Sequence, residues 1–154
     1  MEILSEPVPD RLRAPDAARS IAAIAESYER LLGRPLVEPG SDVVLALWRA
    51  PQVILAHGTQ ADPIFFFGNL AALDCFETEL DTLLAMPSRL SAEVPLRDER
   101  QALLDRVAAH GFIDDYAGVR ISAKGRRFHI ERAVVWTVSY GAGERMGQAA
   151  MFTP

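Results

Sequence analysis

Residues 112–139 read FIDDYAGVRISAKGRRFHIERAVVWTVS, and their apolar side chains recur at every second position. This alternation is typical of β-strands with one buried face. Lys124 and Gly125 lie near the middle of the segment and favour a two-residue hairpin turn. Pairing outward from that turn places Val119 opposite Ile130. The segment is therefore predicted to form two long antiparallel strands.

The predicted register collects the apolar residues of both strands on one face of the hairpin. Asp115 and Arg132 interrupt this face as diagonal neighbours. One explanation is mutual pairing, because an unpaired charge is costly to bury. The other is that Arg132 lines a pocket and binds a carboxylate or another anionic group of a ligand. The same register places Arg120 on the opposite, solvated face. The apolar members of the buried face are Ile113, Val119, Ile121, Phe128, Ile130, Val134 and Trp136.

The segments before the hairpin show both helical and extended patterns. An apolar stripe with helical spacing follows a capping residue, Asp16, and predicts a helix that Gly33 ends. This stripe either packs on its own domain or forms the seam of a homodimer. Residues 53–57 and 64–67 predict a short hairpin, after which Asn69 caps the next helix. The members of the stripe are Ile21, Ile24, Tyr28 and Leu31.

The predicted elements occur in the order helix, helix, strand pair, three helical segments and three antiparallel strands. This order predicts an α+β fold in which helices cover one face of a five-stranded antiparallel sheet, with additional N-terminal helices. The 154 residues suit a single domain with a proper core. Residues 1–15, which contain three prolines, are expected to be an irregular leader to a domain spanning residues 16–154.

Composition excludes several classes of protein. The formal net charge of −5 argues against a nucleic-acid binder, since neutralising phosphates requires a basic surface. Cys75 is the only cysteine, which excludes a disulfide framework and a cysteine-rich zinc module. The sequence shows neither a secretory signal nor a long apolar run, so we expect a cytoplasmic protein without a membrane partner.

Few residues are candidates for catalysis. His57 and Asp62 are spaced so that one could orient the other, and Asp114 with Asp115 form a second acidic pair. No recognisable nucleophile accompanies either pair, and the histidines lack the spacing of metal ligands. The sequence predicts no metal site and leaves any cofactor unknown.

Five segments carry a resemblance to a known family. They are HGTQADPIF at residues 57–65, PSRLSAE at 87–93, GFIDDYAGVRIS at 111–122, GRRFHIERA at 125–133 and GQAAMF at 147–152. Together they make most of residues 16–153 similar to the MEKHLA family. This PAS-like domain is found in bacterial stand-alone proteins and at the C-terminus of plant class III homeodomain–leucine zipper proteins.

The resemblance implies an antiparallel sheet with helices that enclose a possible pocket, and a sensory or regulatory role. It carries over no cofactor and no catalytic residue. The asparagine-cysteine motif of flavin-adduct photosensors is absent, and Cys75 lies in a different sequence context. A flavin photocycle is therefore not expected.

Three functional hypotheses follow. The first is a sensory module that binds a small molecule between sheet and helices and signals through a partner protein or a dimer. The second is a ligand-free interaction or dimerisation module that uses the N-terminal stripe. The third is a small enzyme, which only residue type supports. The candidate ligand-binding residues are Arg132, Asp115, Trp136, Tyr116 and His57.

Overall fold

Helices and strands follow one another in the predicted order, except that two short helices are added, one before the first predicted helix and one before the helix that precedes the last three strands. The computed structural model describes residues 7–92, 97–141 and 143–154. Its N-terminal part contains α1 (Asp10–Arg13), α2 (Pro15–Leu32), α3 (Val43–Arg49), β1 (Val53–His57) and β2 (Phe65–Gly68). The central part contains α4 (Leu70–Cys75), α5 (Leu80–Leu83), a 3₁₀ helix (Ser88–Ser91) and α6 (Arg97–His110). The last three strands are β3 (Phe112–Ile121), β4 (Arg127–Ser139) and β5 (Arg145–Phe152). All five strands form one antiparallel sheet in the order β2-β1-β5-β4-β3, which confirms the predicted fold class.

Two of the predicted helix ends are confirmed in detail. Gly33 ends α2 in a left-handed conformation with φ of 75°, which glycine adopts without steric cost. Asn69 caps α4, because its Oδ1 accepts a hydrogen bond from the backbone of Ala72 at 3.0 Å. The structure differs from the expected irregular leader at residues 10–13, which form α1 and bury Leu12. The predicted cap Asp16 is wrong, because α2 begins at Pro15 and its N-cap residue is Ala14.

The apolar stripe of α2 packs against β4 of the same chain. Ile21, Ile24 and Tyr28 are each at most 3% exposed. The indole Nε1 of Trp136 donates to the carbonyl of Ile24 at 3.1 Å, and its ring meets Tyr28 edge to face with centroids 5.0 Å apart. Packing on the chain's own domain is thus the correct reading of the stripe, and these three residues are not available as a dimer seam.

Helices α4, α5 and α6 cover the other face of the sheet, which we call the cavity face. Phe76, at the C-cap of α4, packs there against the rings and aliphatic groups of β1, β4 and β5. Leu103 and Val107 of α6 pack on Ile113 and Val135. The sheet therefore lies between α2 on one side and α4–α6 on the other, and the second of these layers contains the candidate site.

The predicted register of the C-terminal hairpin is wrong by one residue. Its turn contains three residues rather than two, with Gly125 at φ of 86° and Ser122 accepting from Gly125 at 3.0 Å. A left-handed glycine at the end of such a loop is a common solution. Val119 consequently pairs with His129 instead of Ile130, and every side chain near the turn changes its cross-strand partner.

Two irregularities in the β3–β4 ladder then change which residues face the helices. One follows Ile113, where Asp114 and Asp115 lie opposite Val134 alone. The other lies at residues 131–132, and Arg132 there has φ of 53°. Each extra residue reverses the alternation of its strand. Ile130 therefore packs on the cavity face with Ala133, whereas Val134 packs with Trp136 on the α2 face.

Candidate functional site

A small cavity lies between the cavity face of the sheet and α6. Its volume is about 60 Å³. Apolar side chains from all five strands, from α6 and from the end of α4 form most of its wall. The lining residues are Leu55, His57, Phe65, Phe76, Ser91, Leu103, Leu104, Tyr116, Arg120, Ile130, Ala133, Val135, Gln148, Ala149, Ala150 and Phe152. Concave apolar spaces with a few polar groups are the usual form of small-molecule sites.

Two of the five predicted site residues line this cavity. His57 is 8% exposed, and its Nδ1 lies 3.1 Å from the carbonyl oxygen of Gly58. Tyr116, on β3, forms part of the wall below α6. The guanidinium of Arg120 lies 5.2 Å from the centre of the Tyr116 ring, within range of a cation–π contact.

The other three predicted site residues lie elsewhere. Arg132 is exposed at its bulge, so the expectation that it interrupts a buried apolar face is wrong. The side chain of Asp115 is 76% exposed and faces Arg106 of α6 at 4.0 Å, so it does not pair with Arg132. Trp136 is buried against α2, on the opposite face of the sheet. The one-residue register error and the two bulges explain all three differences.

The bulge after Ile113 brings Arg120 into the cavity wall instead of the solvated face. Its Nη1 donates to the carbonyl of Val119 at 3.0 Å. Arg120 is half-buried, so water reaches part of the side chain. Among the described residues, it is the only lysine or arginine that lines the cavity.

Gln148 is a buried polar residue of the wall that the sequence reasoning missed. It is 2% exposed, and its Nε2 donates to the carbonyl of Leu104 at 3.1 Å. Its Oε1 has no hydrogen-bond partner within the described ranges. A buried acceptor without a partner costs about 1–3 kcal/mol, and such groups are rare in native structures. The signal in the sequence was a polar residue sharing one strand face with Ala150 and Phe152.

The strand pair β1–β5 holds Gln148 beside His57. These two residues are direct partners in the β1–β5 register. The preceding residue, Gly147, allows this approach, since a Cβ there would lie 1.9 Å from the carbonyl oxygen of His57. Any larger residue at this position would push the strands apart next to the cavity.

The tip of the C-terminal hairpin is fastened to the end of α4. Ser122 donates to Glu77 Oε1 at 2.6 Å, and Arg126 donates to the carbonyl of Cys75 at 2.7 Å. The hydrogen bond from Ser122, followed by the nearby charge of Arg126, lowers the pKa of Glu77. Phe76 meets Phe128 edge to face with centroids 5.2 Å apart. These contacts hold Phe76 in position, and Phe76 forms one wall of the cavity.

The remaining candidates for chemistry are paired elsewhere, exposed or disfavoured as nucleophiles. Asp62 is bound by Arg89, whose Nε lies 3.1 Å from both carboxylate oxygens. Asp114 and Asp115 are both exposed. Burial raises the pKa of the Cys75 thiol, which disfavours the nucleophilic thiolate.

Two kinds of feature are absent from the described residues. No three side chains of His, Cys, Asp or Glu lie close enough there to hold a metal ion together. Within the same ranges, no helix has both the length and the apolar composition of a membrane span.

Solved structures with this fold are PAS and LOV domains. A PAS domain from Colwellia psychrerythraea is 14% identical, with a TM-score of 0.56 over 70% of this chain and 88% of that one. The photo-excited blue-light photoreceptor Vivid is 16% identical, with a TM-score of 0.57 over 84% of this chain and 92% of that one. A LuxR-family PAS domain from Burkholderia thailandensis, in complex with ethanol, is 17% identical, with a TM-score of 0.52 over 69% and 91%.

Curated relatives are much longer plant proteins. Homeobox-leucine zipper protein HOX29 of Oryza sativa subsp. indica is 30% identical over 84% of this chain. Homeobox-leucine zipper protein ATHB-15 of Arabidopsis thaliana is 31% identical over 82% of it. The chain spans only 16% of the length of either relative. The model of the MEKHLA domain matches residues 18–154. On this match, together with the PAS-like sheet and helices, the chain belongs to the MEKHLA domain family.

Proposed function

We propose that this domain is a sensory module that holds a small molecule in the cavity and reports its presence to a partner protein. The observation that supports the proposal is the cavity itself, a space of about 60 Å³ with apolar walls and buried polar groups. Because one water takes about 30 Å³ in the liquid, this space suits a ligand of about two to four non-hydrogen atoms. His57 and Tyr116 are the predicted site residues that belong to its wall.

The expected output is a change in the packing of α6. Leu103 and Leu104 of this helix line the cavity, while Glu99, Ala102 and Arg106 are exposed on it. A ligand that binds better when α6 is closed on the sheet shifts the population towards that state. The exposed residues of α6 are then presented in one arrangement, which a partner protein can recognise.

The relatives support a regulatory role and a small ligand. The plant relatives are named as homeobox-leucine zipper proteins, which suggests that the domain regulates a larger protein there. The Burkholderia PAS domain was solved with ethanol, a molecule of the size that this cavity suits. The expected cytoplasmic location stays a prediction.

The volume also favours a second candidate, the ligand-free interaction module. A space of about 60 Å³ is equally suited to about two ordered waters. In that case α6 forms a permanent docking surface, and no small molecule changes the stability of the domain.

Paired substitutions distinguish the two functions. Ala133 and Ala56 are both fully buried in strands, but Ala133 lines the cavity while Ala56 lies in the core on the α2 face. Ala133→Val places its added methyl groups in free space, so the free energy of unfolding should fall by less than about 1 kcal/mol. Ala56→Val overpacks a filled core and should lower it by about 1–3 kcal/mol.

Binding is measured by thermal shift with a library of small metabolites and solvents. A ligand of the native state raises the melting temperature of wild type and of Ala56→Val, but not of Ala133→Val. If no compound in the library raises the melting temperature of wild type, the sensory proposal fails and the interaction module is favoured. A compound that stabilises all three proteins equally binds outside the cavity and does not support the proposal.

A further inference from the structure

We propose that Gln148 Oε1 recognises the ligand, and that the ligand is a small uncharged molecule with an O–H or N–H donor. This inference rests on the proposed sensory function and adds the chemistry of recognition. Gln148 is a fully buried side chain of the wall, and its Oε1 has no hydrogen-bond partner within the described ranges. A donor on the ligand supplies the missing hydrogen bond.

The orientation of the carboxamide makes it an acceptor site. Its Nε2 donates to the carbonyl of Leu104 at 3.1 Å. Turning the amide over would bring Oε1 against that carbonyl oxygen, so that two acceptors face each other and the existing bond is lost. The open group of Gln148 is therefore an oxygen, which a hydroxyl or an N–H group satisfies and an ether or ketone does not.

The position of Arg120 argues for an uncharged ligand. Arg120 lies on β3 and Gln148 on β5, with β4 between them. Arg120 pairs with Phe128 and Gln148 pairs with Thr137, so the two positions are also nine residues apart along β4. That offset amounts to about 25 Å of strand, which the two side chains and a molecule of about two to four non-hydrogen atoms do not span. Water reaches the half-buried Arg120, whereas the oxygen of Gln148 is closed off from bulk solvent. The unmet hydrogen-bonding requirement thus lies at Gln148, where an acceptor oxygen repels anions.

Ethanol and dimethyl ether test this chemistry, because they are isomers of similar volume and only ethanol has a donor. Each is titrated into the wild-type protein while amide resonances are followed by two-dimensional NMR. We expect ethanol to bind about tenfold more tightly than dimethyl ether, the difference that one hydrogen bond to a buried acceptor makes. This comparison needs no variant and is therefore independent of any effect of substitution on folding.

Gln148→Met assigns the preference to one residue. Methionine has a similar length and no amide, so the ethanol preference should fall to about onefold. Gln101→Met is the matched control on the exposed side of α6, and it should keep the preference of wild type. The amide spectrum of each variant reports whether it is folded. A preference that survives in folded Gln148→Met contradicts the proposal.

Further outcomes separate this inference from the function on which it rests. Equal affinities for ethanol, dimethyl ether and propane show a cavity that takes ligands without Gln148, which overturns the inference and keeps the sensory proposal. Binding of acetate in preference to ethanol also overturns it and points to Arg120. If neither the neutral probes nor acetate shift the resonances of cavity residues, both proposals fail, and an ordered water alone occupies the acceptor of Gln148.

Discussion

At the scale of single residues, two buried carboxamides show opposite solutions to the same problem. Asn69 is fully buried and uses both ends of its amide: Oδ1 accepts from Ile54 and Ala72, and Nδ2 donates to Leu47 and Gln52. Every one of these bonds reaches backbone, so Asn69 ties β1 and α3 to the start of α4. Gln148, by contrast, keeps one bond and one open acceptor. The hydrogen bonds of Asn69 therefore stabilise the fold, while the open acceptor of Gln148 is consistent with the proposed ligand site.

Replacing Asn69 tests the structural role. Asn69→Ala removes the cap of α4 and leaves buried backbone groups of two other segments without partners. We expect the free energy of unfolding to fall by about 3 kcal/mol, measured by urea denaturation at neutral pH. Gln101→Ala, on the exposed side of α6, should change it by less than about 0.5 kcal/mol. A loss below about 1 kcal/mol for Asn69→Ala would mean that water replaces these hydrogen bonds.

The sequence indicated one of these residues and not the other, for a physical reason. Asn69 precedes an apolar helical segment, and a capping role follows from local pattern alone. The role of Gln148 depends on α6, which is distant in the chain and supplies the carbonyl of Leu104. A polar residue in an apolar strand face marks an interesting position, but only the tertiary structure tells whether its amide is satisfied.

At the scale of elements, the C-terminal hairpin shows which features the alternation of apolar residues predicts and which it does not. The alternation correctly predicted both strands. It predicted the wrong face of the sheet for the side chains of Arg120, Arg132 and Trp136. A bulge leaves the composition of a strand unchanged while it reverses the alternation beyond it. Lys124-Gly125 also fits both a two-residue turn and the end of a three-residue turn, so local sequence leaves the register open. The family resemblance fixed the fold but carried no information about these side chains.

The contact between the hairpin tip and α4 predicts a pH dependence. The lowered pKa of Glu77 means that the folded state holds this carboxylate ionised at pH values where the unfolded chain already binds a proton. The contribution of the Glu77 carboxylate to the free energy of unfolding is therefore complete above its unfolded-state pKa of about 4.3. This contribution is lost as the pH falls through the lower pKa of the folded state.

Substitutions at this contact show whether Glu77 is the source of that dependence. We expect Glu77→Gln to lose less stability than wild type between about pH 5 and pH 3, measured by urea denaturation across that range. Ser122→Ala removes the hydroxyl that has the largest effect on the pKa and should reduce the acid loss in the same direction. The double variant should resemble Glu77→Gln alone, since both changes remove one interaction. If wild type and Glu77→Gln lost the same stability between about pH 5 and pH 3, the Glu77 carboxylate would not be the source of the pH dependence.

At the scale of the whole molecule, the sheet has a structural face and a face with room for a ligand. The α2 face is filled by the stripe of α2 and by Trp136, with an aromatic contact and a hydrogen bond between them. The opposite face carries short helices and α6, and it encloses the cavity. Under the proposed sensory function, the filled α2 face would stay fixed while ligand binding changes the position of α6 on the other face.

This division predicts how the N-terminal stripe responds to a charge. Ile24 is completely buried, and Ile24→Glu would place an unpaired carboxylate next to Trp136. Such burial costs about 5 kcal/mol or more, comparable with the whole stability of a domain, so we expect the variant to be unfolded at every protein concentration. Glu26→Gln, on the exposed side of α2, should fold as wild type does. Circular dichroism reports whether the variant is folded, and light scattering reports its oligomeric state. If the stripe were a dimer seam, Ile24→Glu would stay folded and a wild-type dimer would become monomeric. That outcome would contradict the packing of Ile24 against the sheet, because a residue of an interface between copies can be exposed to water without unfolding the domain.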